Sequence, residues 1–255
     1  PPLAKFAARF GIIELKPEPV LPVTLRNLEP EVKAKMLKID QEEGILGKVV
    51  GKVLNVQPEK GESIQNWLRK VASASRENSL LGSEKGAKDF KVPKLMGAHV
   101  FEVVGIPFKK PGLYIVELES TILGKFLLGS PRPMYVPTAV LVTNLSVHFK
   151  WGRESSLAWV TALDTGDPVK EATVTVKDCQ EKILWQGKTD ANGIARIDGS
   201  LPSIRELPHC DYNMDGYDYS QLLQSLGGGL FITAQTSEDM TFVHSSWDNG
   251  IEPWR

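Results

Sequence analysis

Short runs in which apolar and polar residues alternate dominate this 255-residue chain, and Gly, Pro, Asn and Asp separate them. A period of two places successive side chains on opposite faces of an extended strand, so the pattern predicts antiparallel sheets. In the first half, strands are predicted at Phe10 to Leu15, Val20 to Leu25 and Val49 to Val56, with Pro17 and Pro19 dividing the first two. From Leu113 to Ser120, the residues Tyr114, Val116 and Leu118 share a face. The preceding Lys109-Lys110-Pro111-Gly112 reads as a turn that pairs this run, as a hairpin, with the stretch from Val100 to Val104. One segment departs from the pattern: Ile64, Trp67, Leu68, Val71 and Ala72 recur at i, i+3, i+4, i+7 and i+8 behind a candidate N-cap, Ser63. That spacing predicts one amphipathic helix whose apolar stripe packs on its own sheet. The polar stretch from Ser73 to Lys91, with Gly82 and Gly86, is expected to be a mobile loop.

The passage Gly129-Ser130-Pro131-Arg132-Pro133 separates the halves, and a second strand series starts near Pro137. Leu157, Trp159, Thr161 and Leu163 alternate with Ala158, Val160 and Ala162, and Val174 and Val176 oppose Thr173, Thr175 and Lys177. Asn192-Gly193 sits between Ile183 to Gly187 and Ile194 to Ile197, where Gly supplies the positive φ of a tight hairpin turn. Phe231 to Gln235 and Met240 to His244 form a last hairpin, with Gly227-Gly228-Gly229 as a flexible lead into it. The fold class expected is mainly β: two tandem immunoglobulin-like antiparallel β-sandwich domains, residues 1–136 and 137–255, the first with one amphipathic helix.

Composition narrows the function classes. A hydrophobic share of 42% supports buried cores, and a net charge of −1 lacks the basic excess that phosphate neutralisation needs, so nucleic acid is not an expected partner. No run of about 18 apolar residues occurs, so membrane contact is not expected from this piece. The start Pro1-Pro2-Leu3-Ala4-Lys5 has no initiator Met and no apolar signal core, and reads as an interior piece of a longer protein.

Three segments of the second half resemble the bacterial α2-macroglobulins, in particular their macroglobulin-type domains. The run Leu163-Asp164-Thr165-Gly166-Asp167-Pro168-Val169-Lys170-Glu171-Ala172-Thr173-Val174 looks like the family's turn between two strands. Thr189-Asp190-Ala191-Asn192-Gly193-Ile194-Ala195 is similar to its next hairpin, and the stretch from Ser246 to Arg255 looks like the segment leaving this domain. The resemblance implies macroglobulin-type sandwiches that act as scaffold in a broad-range protease trap of the periplasm or cell envelope, in some members an inner-membrane lipoprotein. In such a protein a protease cuts a bait segment, the molecule collapses around it, and a buried thioester captures a nucleophile. The implied partners are other domains of the same parent chain and, through the full-length parent, proteases. The family thioester follows a Cys-x-Glu-Gln pattern, whereas the cysteines here read Cys179-Gln180-Glu181-Lys182 and Cys210-Asp211-Tyr212-Asn213. Neither matches, and no bait segment is recognisable. A different class, a tandem immunoglobulin-like adhesion or polysaccharide-binding module, would show a row of exposed aromatics on one sheet.

Chemistry-bearing candidates are few, and neither enzymatic activity nor a cofactor is expected. His99, His148, His209 and His244 lie far apart with no helical pair, and no nucleophile elbow or phosphate loop occurs. Asp211, Asn213 and Asp215, followed by Gly216, copy the start of a calcium loop, but the twelfth position is Leu222 where a bidentate carboxylate belongs, so a solvated polar insertion is the alternative. Cys179 and Cys210 are an even pair: the envelope location implied by the resemblance permits a disulfide, while a cytosolic parent would leave two reduced thiols. Trp159 and Trp185 are expected in the sandwich core, and Trp247 and Trp254 flank the exit segment and are expected to pack between domains.

Overall fold

The structure is a computed structural model that describes residues 1–39, 63–93, 102–210 and 225–247. The strand expected at Val49 to Val56 lies outside them. Contacts divide the chain into two compact units: Pro1–Gly11, Pro22–Ile106 and Gly112–Val140 form one, and Ile12–Leu21, Pro107–Pro111 and Leu141–Arg255 the other.

The first half contains β1 (Leu3–Phe6), β2 (Phe10–Glu14), β3 (Val20–Arg26), β4 (Glu31–Ile39), helix α1 (Ile64–Ala72), β5 (Lys88–Pro93), β6 (Glu102–Pro107), β7 (Gly112–Ser120), helix α2 (Thr121–Leu127) and β8 (Met134–Thr143). They build a five-stranded sheet of order β2-β8-β7-β4-β5 and a three-stranded sheet of order β1-β3-β6. Along β3 the side chains of Leu21, Val23 and Leu25 are buried and alternate with more open positions, as one covered face requires. α1 forms where the spacing placed it. Ser63 accepts a hydrogen bond from the amide of Asn66 at 3.2 Å, Arg69 and Lys70 occupy the last turn where the helix dipole favours cations, and the apolar stripe is buried.

Three expectations for this half are corrected. The turn at 109–112 reverses the chain, but β6 and β7 do not pair: β6 borders β3, while β4 and β8 already flank β7. A turn signal fixes a change of direction, not sheet membership. The stretch after α1 is not loop as far as Lys91, because Lys88 begins β5, which pairs antiparallel with β4. Its turns are anchored by Glu117 of β7, 2% exposed, whose carboxylate accepts from Ser79 Oγ at 2.5 Å and from the amides of Leu80 at 2.6 Å and Leu81 at 3.3 Å. There is also a second helix. α2 is seven residues long and buries only Leu123 and Gly124, too little to print a 3.6-residue period on the sequence. Its cap is Ser120, and the Glu29 carboxylate accepts from Ser120 Oγ at 2.8 Å and from the amide of Ile122 at 2.9 Å. Gly124 is required there, because a Cβ would collide with the carbonyl of Arg132.

The second half holds β9 (Leu145–Lys150), β10 (Ser155–Ala162), β11 (Thr173–Lys177), β12 (Ile183–Lys188), β13 (Ile194–Asp198), β14 (Phe231–Gln235) and β15 (Met240–His244). These seven strands form antiparallel sheets of order β13-β10-β9 and β12-β11-β14-β15. Val147, Ala158, Val160, Ala195 and Ile197 from the first sheet share one core with Val174, Val176, Ile232 and Ala234 from the second, which makes the pair a β-sandwich. The last hairpin has the expected register, from Phe231 opposite His244 to Gln235 opposite Met240. Asn192-Gly193 does turn the chain, with Gly193 at φ +73°, but β12 and β13 lie in different sheets, so the expected hairpin is a crossover between them. The three glycines before β14 are not a loose lead. Ser225–Gly227 is a turn of 3₁₀ helix, Gly227 O accepts from the amide of Cys210 at 2.7 Å, and Gly229, at φ +67°, has no room for a Cβ beside His244 and Ser245.

Candidate functional site

The described residues offer little for catalysis. They contain no group of three or more His, Cys, Asp or Glu able to hold a metal ion. The calcium-loop candidates Asp211, Asn213 and Asp215, together with His99 and Trp254, lie outside the described residues. Cys179 and Cys210 are joined in a disulfide, so neither offers a thiolate nucleophile. A cavity of about 340 Å³ lies against β4, β5 and β7, lined by Lys33, Lys35, Asp89, Lys91, Glu117 and Glu119. Four of its charges pair across strands, Lys35 with Asp89 at 2.8 Å and Lys33 with Glu119 at 3.6 Å, and Lys91 pairs with Glu31 at 2.6 Å. The hydrogen bond to Asp89 is the main reason the Lys35 ammonium titrates above its ordinary value. An ion-pair ladder on an edge strand protects that edge from pairing with another chain, which is a sufficient account of this cluster.

Carboxylates and one imidazole instead hold loops. Asp239, 8% exposed in the turn between β14 and β15, accepts from Thr143 Oγ1 at 2.9 Å and from the amides of Asn144 at 2.8 Å and Met240 at 2.7 Å. It thereby ties the final hairpin to the entry of β9. Exposed Asp164 accepts from Lys16 Nζ at 2.7 Å and Asn144 Nδ2 at 2.9 Å, and these two bonds, that from Lys16 foremost, hold its carboxyl below the usual value. His244, 3% exposed, donates from Nε2 to Gly228 O at 2.7 Å and accepts at Nδ1 from Ser246 Oγ at 2.7 Å. Sequence reasoning missed all three anchors, since a carboxylate or imidazole that serves backbone amides carries no spacing signature.

The tryptophans depart from expectation. Trp159 is 42% exposed, not in the core, and Trp185 is half-buried against the edge of the core. The inner face of β10 is made by Ser156, Ala158 and Val160, because small residues let the two sheets approach. Alternation named the two faces of this strand, but size alone pointed to the wrong one as internal. On the outer face, register aligns His148, Trp159 and Ile194 in one cross-strand row and Lys150, Leu157 and Arg196 in the next. The Trp159 indole N–H donates to Asn192 O at 3.2 Å, and the His148 ring lies 5.6 Å from the indole. Trp247 is half-buried among Phe231, Phe242 and His244 of its own unit.

Residues 142–255 match the family model of the bacterial alpha-2-macroglobulin MG3 domain, a range that holds all seven strands of the sandwich. This half is similar to a domain of the bacterial alpha-2-macroglobulins. Solved structures extend the likeness in fold to 96% of the chain. A crystal structure of native Escherichia coli alpha-2-macroglobulin spanning domains NIE-MG1 is 12% identical with a TM-score of 0.59, and 97% of it is covered. One spanning MG0-NIE-MG1 is 14% identical with a TM-score of 0.55 and 64% covered. Salmonella alpha-2-macroglobulin reacted with methylamine is 12% identical with a TM-score of 0.50, and the chain spans 12% of its length. The domain labels differ, MG3 against NIE-MG1; the macroglobulin family is what they share. No curated protein matches the chain in sequence.

Proposed function

We propose that the chain is non-catalytic scaffold of a broad-range protease trap in the bacterial periplasm or cell envelope, as part of a full-length alpha-2-macroglobulin. The match of residues 142–255 to a macroglobulin domain carries this reading. The mechanism is architectural: sandwiches with close-packed cores hold a bait accessible and a thioester shielded, then move as rigid bodies once the bait is cut. Both cysteines of this chain are spent on a disulfide, so a thioester would come from elsewhere in the parent. That bond also fits an oxidising compartment. The adhesion reading loses ground, because Trp159 is the only exposed tryptophan among the described residues and no aromatic row accompanies it. Treating the full-length parent with methylamine and counting thiols tests the trap. One new thiol per chain, with compaction of the molecule, is the expected result; no release overturns the thioester mechanism. A protease that digests a large protein substrate freely in the presence of the parent overturns trapping itself.

A further inference from the structure

The outer face of the β13-β10-β9 sheet has the composition of an interface core with a charged rim. Trp159, Leu157 and Ile194 form an apolar centre on adjacent strands, and His148, Lys150 and Arg196 surround it. Neither row contains a carboxylate, and the next row of the face adds one, Asp198 opposite Ser155. The indole is held in place by its bond to Asn192 O, so a partner meets a pre-ordered ring and orders little by binding it. The other sheet of this sandwich differs: Thr175 and Thr233, which point away from the shared core, are 7% and 2% exposed. The open face is thus particular to one sheet. Tryptophan and arginine are the residue types that dominate binding energy when desolvated at an interface centre.

We propose that this face docks an acidic surface of another domain of the parent polypeptide, an inference that rests on the scaffold reading above. Two observations select that occupant. Lys150 and Arg196 outnumber the one carboxylate at the end of this face, Asp198 opposite Ser155, so the rim favours carboxylates opposite the two cations. The chain also spans only 12% of the Salmonella alpha-2-macroglobulin it matches, so in a parent of that architecture most of the surface available to cover the patch belongs to the same polypeptide. A sugar ligand fits less well, since the patch supplies one aromatic platform and its centre is completed by aliphatic side chains.

Hydroxyl-radical footprinting of the 255-residue chain and of the full-length parent reads the exposure of Trp159 directly, with half-buried Trp151 and Trp185 as internal references. In the parent, Trp159 should be protected several-fold relative to the isolated chain. The double variant Lys150→Glu with Arg196→Glu should restore its reactivity while leaving the melting of the isolated chain unchanged. Equal reactivity in chain and parent overturns the proposal, as does protection that survives the charge reversal. Protection of the isolated chain by an added uronate oligosaccharide overturns it in favour of a glycan site. Protease capture by the same parent sample is read separately, so a reactive Trp159 in a working trap refutes the docking face alone. A protected Trp159 in a parent that captures no protease refutes the trap alone.

Discussion

His244 donates from Nε2 to a carbonyl and accepts at Nδ1, so its buried ring is neutral. Burial pushes its pKa below the ordinary value, and the bond to Gly228 opposes this only in part. The unfolded chain therefore takes up a proton near pH 6.5 that the folded chain refuses, so stability is complete above that pH and falls as pH drops below it towards the depressed value. Urea midpoints of the second unit should decline between pH 7.5 and 5.5, and His244→Gln, though less stable throughout, should flatten that part of the decline. An unchanged slope in the variant would show that other groups set it. Asp239 makes a sharper case. Asp239→Ala strands Thr143 Oγ1 and two amides that are otherwise satisfied, and should cost about 3 kcal/mol in urea unfolding. The tie from Asp239 to Thr143 and Asn144 was not visible beforehand, because these partners are about 95 residues away and meet it only in the folded chain.

Element identity was legible wherever a run was long enough to show its period. Five apolar positions and a serine cap defined α1, and alternation defined β10, β11, β14 and β15. Pairing was less legible. Local turn chemistry at Asn192-Gly193 was read correctly, yet the strands on either side part into different sheets, β12 pairing with β11 and β13 with β10. The glycine itself is not replaceable. With φ at +73° and the Val160 carbonyl where a Cβ would stand, Gly193→Ala should cost about 2 kcal/mol or more, measured by thermal unfolding. A variant as stable as the parent sequence would mean that the turn re-forms in another geometry.

For the whole molecule, the Cys179–Cys210 disulfide closes a separation of 31 residues and fastens the segment before 211 to the end of β11. Cys210 in turn bonds Gly227, and Gly228 holds His244, so the link reaches the last strand. Reduction, or Cys179→Ala with Cys210→Ala, should lower stability by about 3 to 4 kcal/mol in the chain-entropy description. Denaturant midpoints with and without a dithiol decide it, and equal midpoints would refute the cross-link's contribution. By itself the sequence determined the mainly β class, the helix α1 and the resemblance of its second half to a family, since period, capping and turn residues are local and survive in one dimension. Only the tertiary structure decided which strands are neighbours, which loops Glu117 and Asp239 anchor, and that Trp159 faces outward. Those outcomes depend on which edges remain free and on how closely two sheets approach, and both are set by the whole chain at once.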